Sequence, residues 1–392
     1  MRTENRLVTT LLDMIVDGLD IPKSYYEKAV ERHRSLGEWL CRPESKLAAF
    51  RPYVYPQGSF RYGTVIRPLL ATEAYDLDNV TTLKIAKTAM TQQQIKQLYG
   101  AEIKEYARAH GMLAPVEEKN RCWRLVYADE VNFYLDTLPC VPEDQDVIRV
   151  IVSRGVPLHL AALAVAITDR RHPQYDQITR ALRSSNPRGF AAWFEERARP
   201  SAFGRMRHLV DLGFYDSVEN VPLYEWKTPL QRSIQVLKRH RDVMFRDDPG
   251  TGPISMVITN LAAHAYAEES DLWSALRNII ETMPQYVNST RPRVPNPADP
   301  AEDYADKWAM DPTLEDNFWA WHAQVKVDVD RLPALIMGRS LVADVRRIFR
   351  ADLTQDQLEQ LEAHKAPSMP AIVRSAAVLQ IPTAPRPWGD HT

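Results

Sequence analysis

Two aspartates one residue apart, Asp76 and Asp78 in the stretch YDLDNV, are the side chains whose type and spacing point most directly to chemistry. They alternate with Tyr75 and Leu77, so in a strand both carboxylates fall on one face. Unpaired neighbouring carboxylates repel each other, and the arrangement becomes useful when they share divalent cations. Hard oxygen donors of this kind suit Mg²⁺ or Mn²⁺. Spacing alone singles out nothing, because Asp144-Gln145-Asp146 and Asp328-Val329-Asp330 repeat it. Those two copies read as a loop and a solvated helix face. The first copy differs in what precedes it. PQGSFRYGT (56–64) places Gly58 and Gly63, two of only 14 glycines, around a serine and an arginine. Gly58-Ser59 offers exposed amides and a hydroxyl suited to phosphate oxygens, with Gln57 adjacent. A phosphate-cradling turn followed by a metal-binding strand is the layout that phosphoryl and nucleotidyl transfer require. A third carboxylate is expected from Asp136 in VNFYLDTLP (131–139), where it shares a face with Asn132 and Tyr134. An acid late in an otherwise apolar strand should be buried or functional, since unpaired burial is costly. The plainer alternative is a surface acid on an edge strand.

The remaining candidates are less distinctive from the residues alone. Lys238 sits beside Arg239, His240 and Arg241, and such a run usually marks a solvated helix face. Ser255, just after Pro253, reads as a helix start. Arg61 and Tyr62 lie within the glycine-bounded turn and could touch a nucleotide or simply pack it. Asn186 reads as a helix cap, and none of the ten histidines has a metal spacing such as HExxH.

These side chains need a scaffold. Residues 4–40 carry a helical stripe, Leu11, Leu12, Ile15 and Leu19, continued weakly by Tyr25, Ala29 and His33. From about 50 to 170 strands and short helices alternate. CWRLVY (122–127) and VNFYLDTLP flank the polar turn Ala128–Glu130 and read as a hairpin. Asn186-Pro187 opens a helix that stops before Pro200, and Thr228-Pro229-Leu230-Gln231 has the capping-box arrangement. Further helices are expected near 253–268, 271–283, 303–330 and 339–363, while STRPRVPNPADPAED (289–303) is too proline-rich for one. A length of 392 residues fits two or three domains, and 45% hydrophobic with 26% charged residues is a globular composition. A net charge of −2 argues against stable nucleic-acid binding. Cys41, Cys122 and Cys140 are odd in number and lack CxxC spacing, as expected of thiols in a reducing compartment. The N-terminus does not read as a signal peptide, and the apolar run Val156–Ile167 is too short for a bilayer span. A cytoplasmic protein without membrane attachment is expected.

Taken in order, PQGSFRYGTVIRP, YDLDNV and FYLDTLP resemble the bacterial cGAS/DncV-like nucleotidyltransferases (CD-NTases) of the polymerase-β-like superfamily. The likeness continues through GEWLCRPES (37–45), ITDRRHPQY (167–175), SNPRGFAAWF (185–194), TPLQRSIQVLKRHRD (228–242), PISMVIT (253–259) and VPNPADPAEDYADKW (294–308). The resemblance implies an α+β, bilobal fold with a small mixed sheet, a helical C-terminal lobe and a long N-terminal helix. The domains expected are a nucleotidyltransferase core with its bracing helix (1–215), the helical lobe (216–380) and a flexible tail (381–392). The family's metal triad maps onto Asp76, Asp78 and Asp136, and its phosphate turn onto Gln57, Gly58 and Ser59. Its triphosphate-holding lysine and serine map onto Lys238 and Ser255. Asn79 departs from the apolar residue common after the aspartate pair, but lies on the opposite face. The activity implied is Mg²⁺- or Mn²⁺-dependent joining of ATP, GTP or pyrimidine NTPs into a cyclic di- or trinucleotide. That product would be a messenger in CBASS antiphage defence, with regulatory protein partners. The alternatives are a poly(A)- or CCA-type RNA nucleotidyltransferase and a catalytically inactive nucleotide-binding regulator.

Overall fold

Alternating apolar and polar residues in YDLDNV and FYLDTLP form neighbouring strands, and the apolar stripe of the N-terminus forms a helix. The computed structural model describes residues 2–70, 72–128, 132–199, 217–224 and 226–365. In chain order the first part comprises α1 (Arg2–Leu19), α2 (Lys23–Cys41), β1 (Tyr53–Gln57), the five-residue α3 (Gly58–Tyr62), β2 (Tyr75–Thr82), α4 (Gln92–Ala109), β3 (Glu117–Glu118), β4 (Trp123–Ala128) and β5 (Asn132–Pro142). Then come α5 (Gln145–Ser153), α6 (Leu158–Ala161), β6 (Val165–Ile167), β7 (Arg183–Ser185) and α7 (Pro187–Ala198). The second part comprises α8 (Pro229–Met244), α9 (Ser255–Ala265), α10 (Leu272–Thr282), the short pair β8 (Pro295–Asn296) and β9 (Asp299–Asp303), α11 (Thr313–Asp330), α12 (Leu332–Met337), α13 (Leu341–Phe349) and α14 (Gln355–Lys365).

The fold is α+β and bilobal. The main sheet runs β1-β2-β5-β4-β3, and β6 pairs with the far end of β5 and with β7. Only β2 and β5 are parallel; the other neighbours are antiparallel, so the sheet is mixed. Leu77, Leu125, Phe133 and Leu135 point to one face, buried against Ile95, Tyr99 and Ile103 of α4 and Leu36 and Leu40 of α2. Asp76, Asp78 and Asp136, at the alternate positions, are left on the other face.

Local signals explain where the helices start. Thr91 and Gln94 form a capping box on α4, as Thr228 and Gln231 do on α8 with Pro229 at its first position. Asn186 accepts from the Gly189 amide and caps α7. Pro22 divides the N-terminal helical stretch, because a residue preceding proline is pushed out of the α region. The helix expected over 303–330 begins only at Thr313, since β9 occupies the chain through Asp303. The stretch 339–363 is two helices, broken where Arg350 turns left-handed at φ 49°.

Lobe membership does not follow chain order. The buried stripe of α1, from Leu7 to Leu19, belongs to the same core as α8 to α13, with Phe190 and Phe194 of α7. α2 instead packs on the sheet. The expected boundary at 215–216 and the tail 381–392 lie outside the described residues. Among the described residues no helix is long and apolar enough to cross a membrane.

Candidate active site

The parallel register of β2 and β5 sets Asp78 directly beside Asp136, with Asp76 beside Tyr134. β5 is an interior strand, flanked by β2 and β4, so Asp136 is not an edge acid. On the other side of β2, Gln57 is the register partner of Asp78, and the chain turns from there into α3. Gly58 takes φ +68°, and a β-carbon built on it would lie 2.2 Å from Asp78 Oδ2. Only glycine lets the first turn of α3 approach the carboxylate so closely. The amide end of α3, with Ser59 in its first turn, therefore opens beside Asp78.

The helical lobe supplies a cation. Lys238 is 6% exposed, not on a solvated face, and neither Arg239 nor His240 beside it is exposed. Its ammonium donates to the Thr64 carbonyl at 2.9 Å, joining α8 to the segment between α3 and β2. Burial, reinforced by Arg241, lowers its pKa to about 8, while Asp76 and Asp78 act in the opposite direction. Ser255 opens α9, and its hydroxyl accepts from Arg241 Nη2 at 3.2 Å. Arg61 and Tyr62 serve packing. Arg61 pairs with Glu195 at 3.0 Å and Glu219 at 3.3 Å, and Tyr62 is buried against Phe190 and Phe194.

The other two Asp-x-Asp copies have different surroundings. Asp144 stands at the start of α5 and accepts from Arg180 at 3.0 Å. Asp328 corrects the expectation of a solvated face: it is buried in α11 and accepts from Gln324 at 2.8 Å, with His240 Nε2 at 3.2 Å.

Residues 52–138, which span the α3 turn and all three carboxylates, match the family described as "Cyclic GMP-AMP synthase DncV-like, nucleotidyltransferase domain". Over this segment the chain is similar to the DncV-like nucleotidyltransferases. A c-di-GMP synthase from Roseivirga ehrenbergii is 26% identical over 320 residues, covering 80% of this chain and 76% of the relative. The cyclic dinucleotide synthase CdnG of Bradyrhizobium diazoefficiens is 24% identical over 312 residues, 74% of this chain and 68% of the relative. The solved structure of that CD-NTase in complex with GTP superposes with a TM-score of 0.64 at 19% identity, covering 91% of this chain and 97% of that one.

The Asn79 departure has a structural partner. Asn79 is buried on the face opposite the aspartates, with its Oδ1 2.8 Å from His33 Nδ1 of α2. His33 Nε2 lies 2.6 Å from the Glu219 carbonyl, so a polar tie replaces an apolar contact without reaching the carboxylate face.

The carboxylates fit a divalent cation by donor type and by electrostatics. Burial, then Asp136 and Asp76, push the Asp78 carboxyl up to about 7, a state that a bound cation would relieve. Without metal the ionised form is therefore a burden on the fold. Well below pH 4 Asp78 is protonated in both folded and unfolded chains and costs nothing; the penalty grows as pH rises from about 4 to 7. In metal-free buffer, Asp78→Asn should melt above wild type at pH 8, by up to about 4 kcal/mol. The gap should close as pH falls through 7 toward 4, which thermal denaturation across pH would read.

Sequence reasoning missed one functional neighbour. Arg124 on β4 is the antiparallel register partner of Asp136. Its Nε donates to Asp136 Oδ1 at 2.7 Å and its Nη2 to Oδ2 at 2.8 Å, a two-pronged charged contact.

Proposed function

We propose that this chain joins two nucleoside triphosphates into a cyclic dinucleotide, releasing two pyrophosphates, with Asp76, Asp78 and Asp136 holding Mg²⁺ or Mn²⁺. The observation that carries this is the juxtaposition of three carboxylates with the glycine turn, Gly58 being pressed against Asp78. The names of its curated relatives, a c-di-GMP synthase and a cyclic dinucleotide synthase, favour two bases over three. Bound divalent cations supply charge neutralisation at the α-phosphate and acidify the attacking ribose hydroxyl.

The protein's own groups do the rest. Amides of the first turn of α3 and the Ser59 hydroxyl donate to the triphosphate, whose tail is the leaving group. Lys238, mostly protonated near neutral pH, offsets negative charge from the opposite lobe. Asp136, beside Asp78, is assigned to accept the proton of the attacking hydroxyl. That oxygen forms a bond to the α-phosphorus, and the bond to pyrophosphate breaks. A second step of the same kind, with donor and acceptor exchanged, closes the ring.

The test is incubation of the full chain with labelled NTPs, singly and in pairs, with Mg²⁺ or Mn²⁺, followed by phosphatase. A phosphatase-resistant product with the mass of a two-base ring is expected. A ladder that needs added RNA, or no product with any metal and NTP combination, would overturn the assignment.

A further inference from the structure

Arg124 is placed where a cation for the carboxylates would be needed. Its guanidinium engages both oxygens of Asp136, and Nη2 also lies 3.7 Å from Asp76 Oδ1. It rests on the Tyr134 ring, with its central carbon 4.4 Å from the centroid, on the same strand as Asp136. Among the described residues no three His, Cys, Asp or Glu side chains are gathered as a metal cage. With Asp136 held by the guanidinium, Asp76 and Asp78 lack their third partner. We propose that Arg124 is the resident counter-cation of the trio and competes with divalent ions for it. Metal loading is then weak in the nucleotide-free protein, and strong when a triphosphate adds its own negative charge to the cleft.

The charges argue for competition rather than mere support. Fully ionised, the three carboxylates would carry −3, and the guanidinium lowers the magnitude by one whatever their protonation. A divalent ion a few ångströms from that fixed cation meets a repulsion of several kcal/mol at an effective dielectric of about 20. Arginine does not escape by losing its proton, so relief requires movement. The Tyr134 face offers a place to stay when the carboxylate is surrendered. Lys238, the other cation that faces the aspartates, is tied to the Thr64 carbonyl instead.

This inference rests on the proposed metal role of the trio, and one assay separates the two. Mn²⁺ binding to the full chain without nucleotide is measured by the loss of the free-ion EPR signal. Arg124→Gln should bind Mn²⁺ about 10-fold or more tightly than wild type. Arg124→Met, whose stem still covers Tyr134, should do the same, and Arg124→Lys should stay within about 2-fold. With a non-hydrolysable GTP analogue present, the gap between wild type and Arg124→Gln should narrow. Unchanged or weaker binding in both neutral variants, with melting in EDTA confirming that they fold, overturns the competition. If Asp78→Asn leaves wild-type Mn²⁺ binding intact, the trio itself is not the metal site. If Asp78→Asn abolishes binding while the Arg124 variants fail to tighten it, only the counter-cation role falls.

Discussion

Replacing Asp76 and Asp78 together with alanine should lower cyclic product formation by about 10³-fold or more while leaving the chain folded. The expected loss corresponds to about 4 kcal/mol of transition-state stabilisation, the scale of charge neutralisation at a transferring phosphoryl group. Folding should survive because neither side chain anchors the structure. The Asp76 side chain is 65% exposed, and its contact with Arg124 is long at 3.7 Å. Asp78 carries a carboxyl whose ionisation burial already opposes. The buried alternates Leu77 and Val80 hold β2 in the sheet instead. Turnover followed by pyrophosphate release, beside a thermal melt, checks both halves of the expectation. The same spacing elsewhere supplies the control. Asp144→Ala with Asp146→Ala removes ion pairs that include those to Arg180 and a longer 3.7 Å contact of Asp144 with the buried Lys87, and should leave turnover within about 2-fold. Continued synthesis by the Asp76/Asp78 variant would end the assignment of the site to these residues.

The contrast among the three Asp-x-Asp copies also shows how far the sequence alone could reach. Alternation in YDLDNV and FYLDTLP was enough to place each acid opposite an apolar face, and the capping residues at Asn186 and Thr228 marked real helix starts. The family likeness carried the bilobal α+β architecture. What eluded the sequence was set by long-range register. A turn centred on Ala128–Glu130 would bring Cys122 opposite Asp136, whereas the observed pairing of Ala128 with Asn132 brings Arg124 there. A shift of two residues preserves the face and changes the neighbour, so hydrophobic pattern cannot detect it. Burial of charged side chains was equally hidden. Lys238, Arg239 and His240 read as a solvated run, yet α8 is enclosed by α1, α9, α10, α11 and α13. Asp328 is enclosed for the same reason, as the partner of His240. The apolar stripe of α1 announced a buried helix but not which lobe would bury it, because either core could accept such a face.

Gly58→Ala should be the most damaging single-methyl change in the protein for turnover. The backbone there is left-handed, which costs a residue with a β-carbon about 1 kcal/mol or more. The larger effect is steric, since the new carbon would stand 2.2 Å from Asp78 Oδ2 and 3.2 Å from its Cγ. Either the carboxylate swings away from Asp136 or the first turn of α3 retreats from it. Both movements separate the phosphate turn from the carboxylates, and displacements of about 1 Å at a reacting centre cost about 10²-fold in rate. Turnover should therefore fall about 10²-fold or more, with only a modest drop in melting temperature. Gly63→Ala is the informative counterpart. Its φ is +67°, but the added carbon would meet Gln231 Nε2 at 2.5 Å and the Tyr224 ring at 2.7 Å, at the far end of α3. Gln231 ties α8 to the Tyr62 carbonyl, so this variant should lose stability in larger proportion than rate. Gly18→Ala, in α1 with nothing within 4 Å, should change neither by much. If Gly58→Ala keeps full turnover while Gly63→Ala loses it, α3 serves the site through its packing against α8 and not through its approach to Asp78.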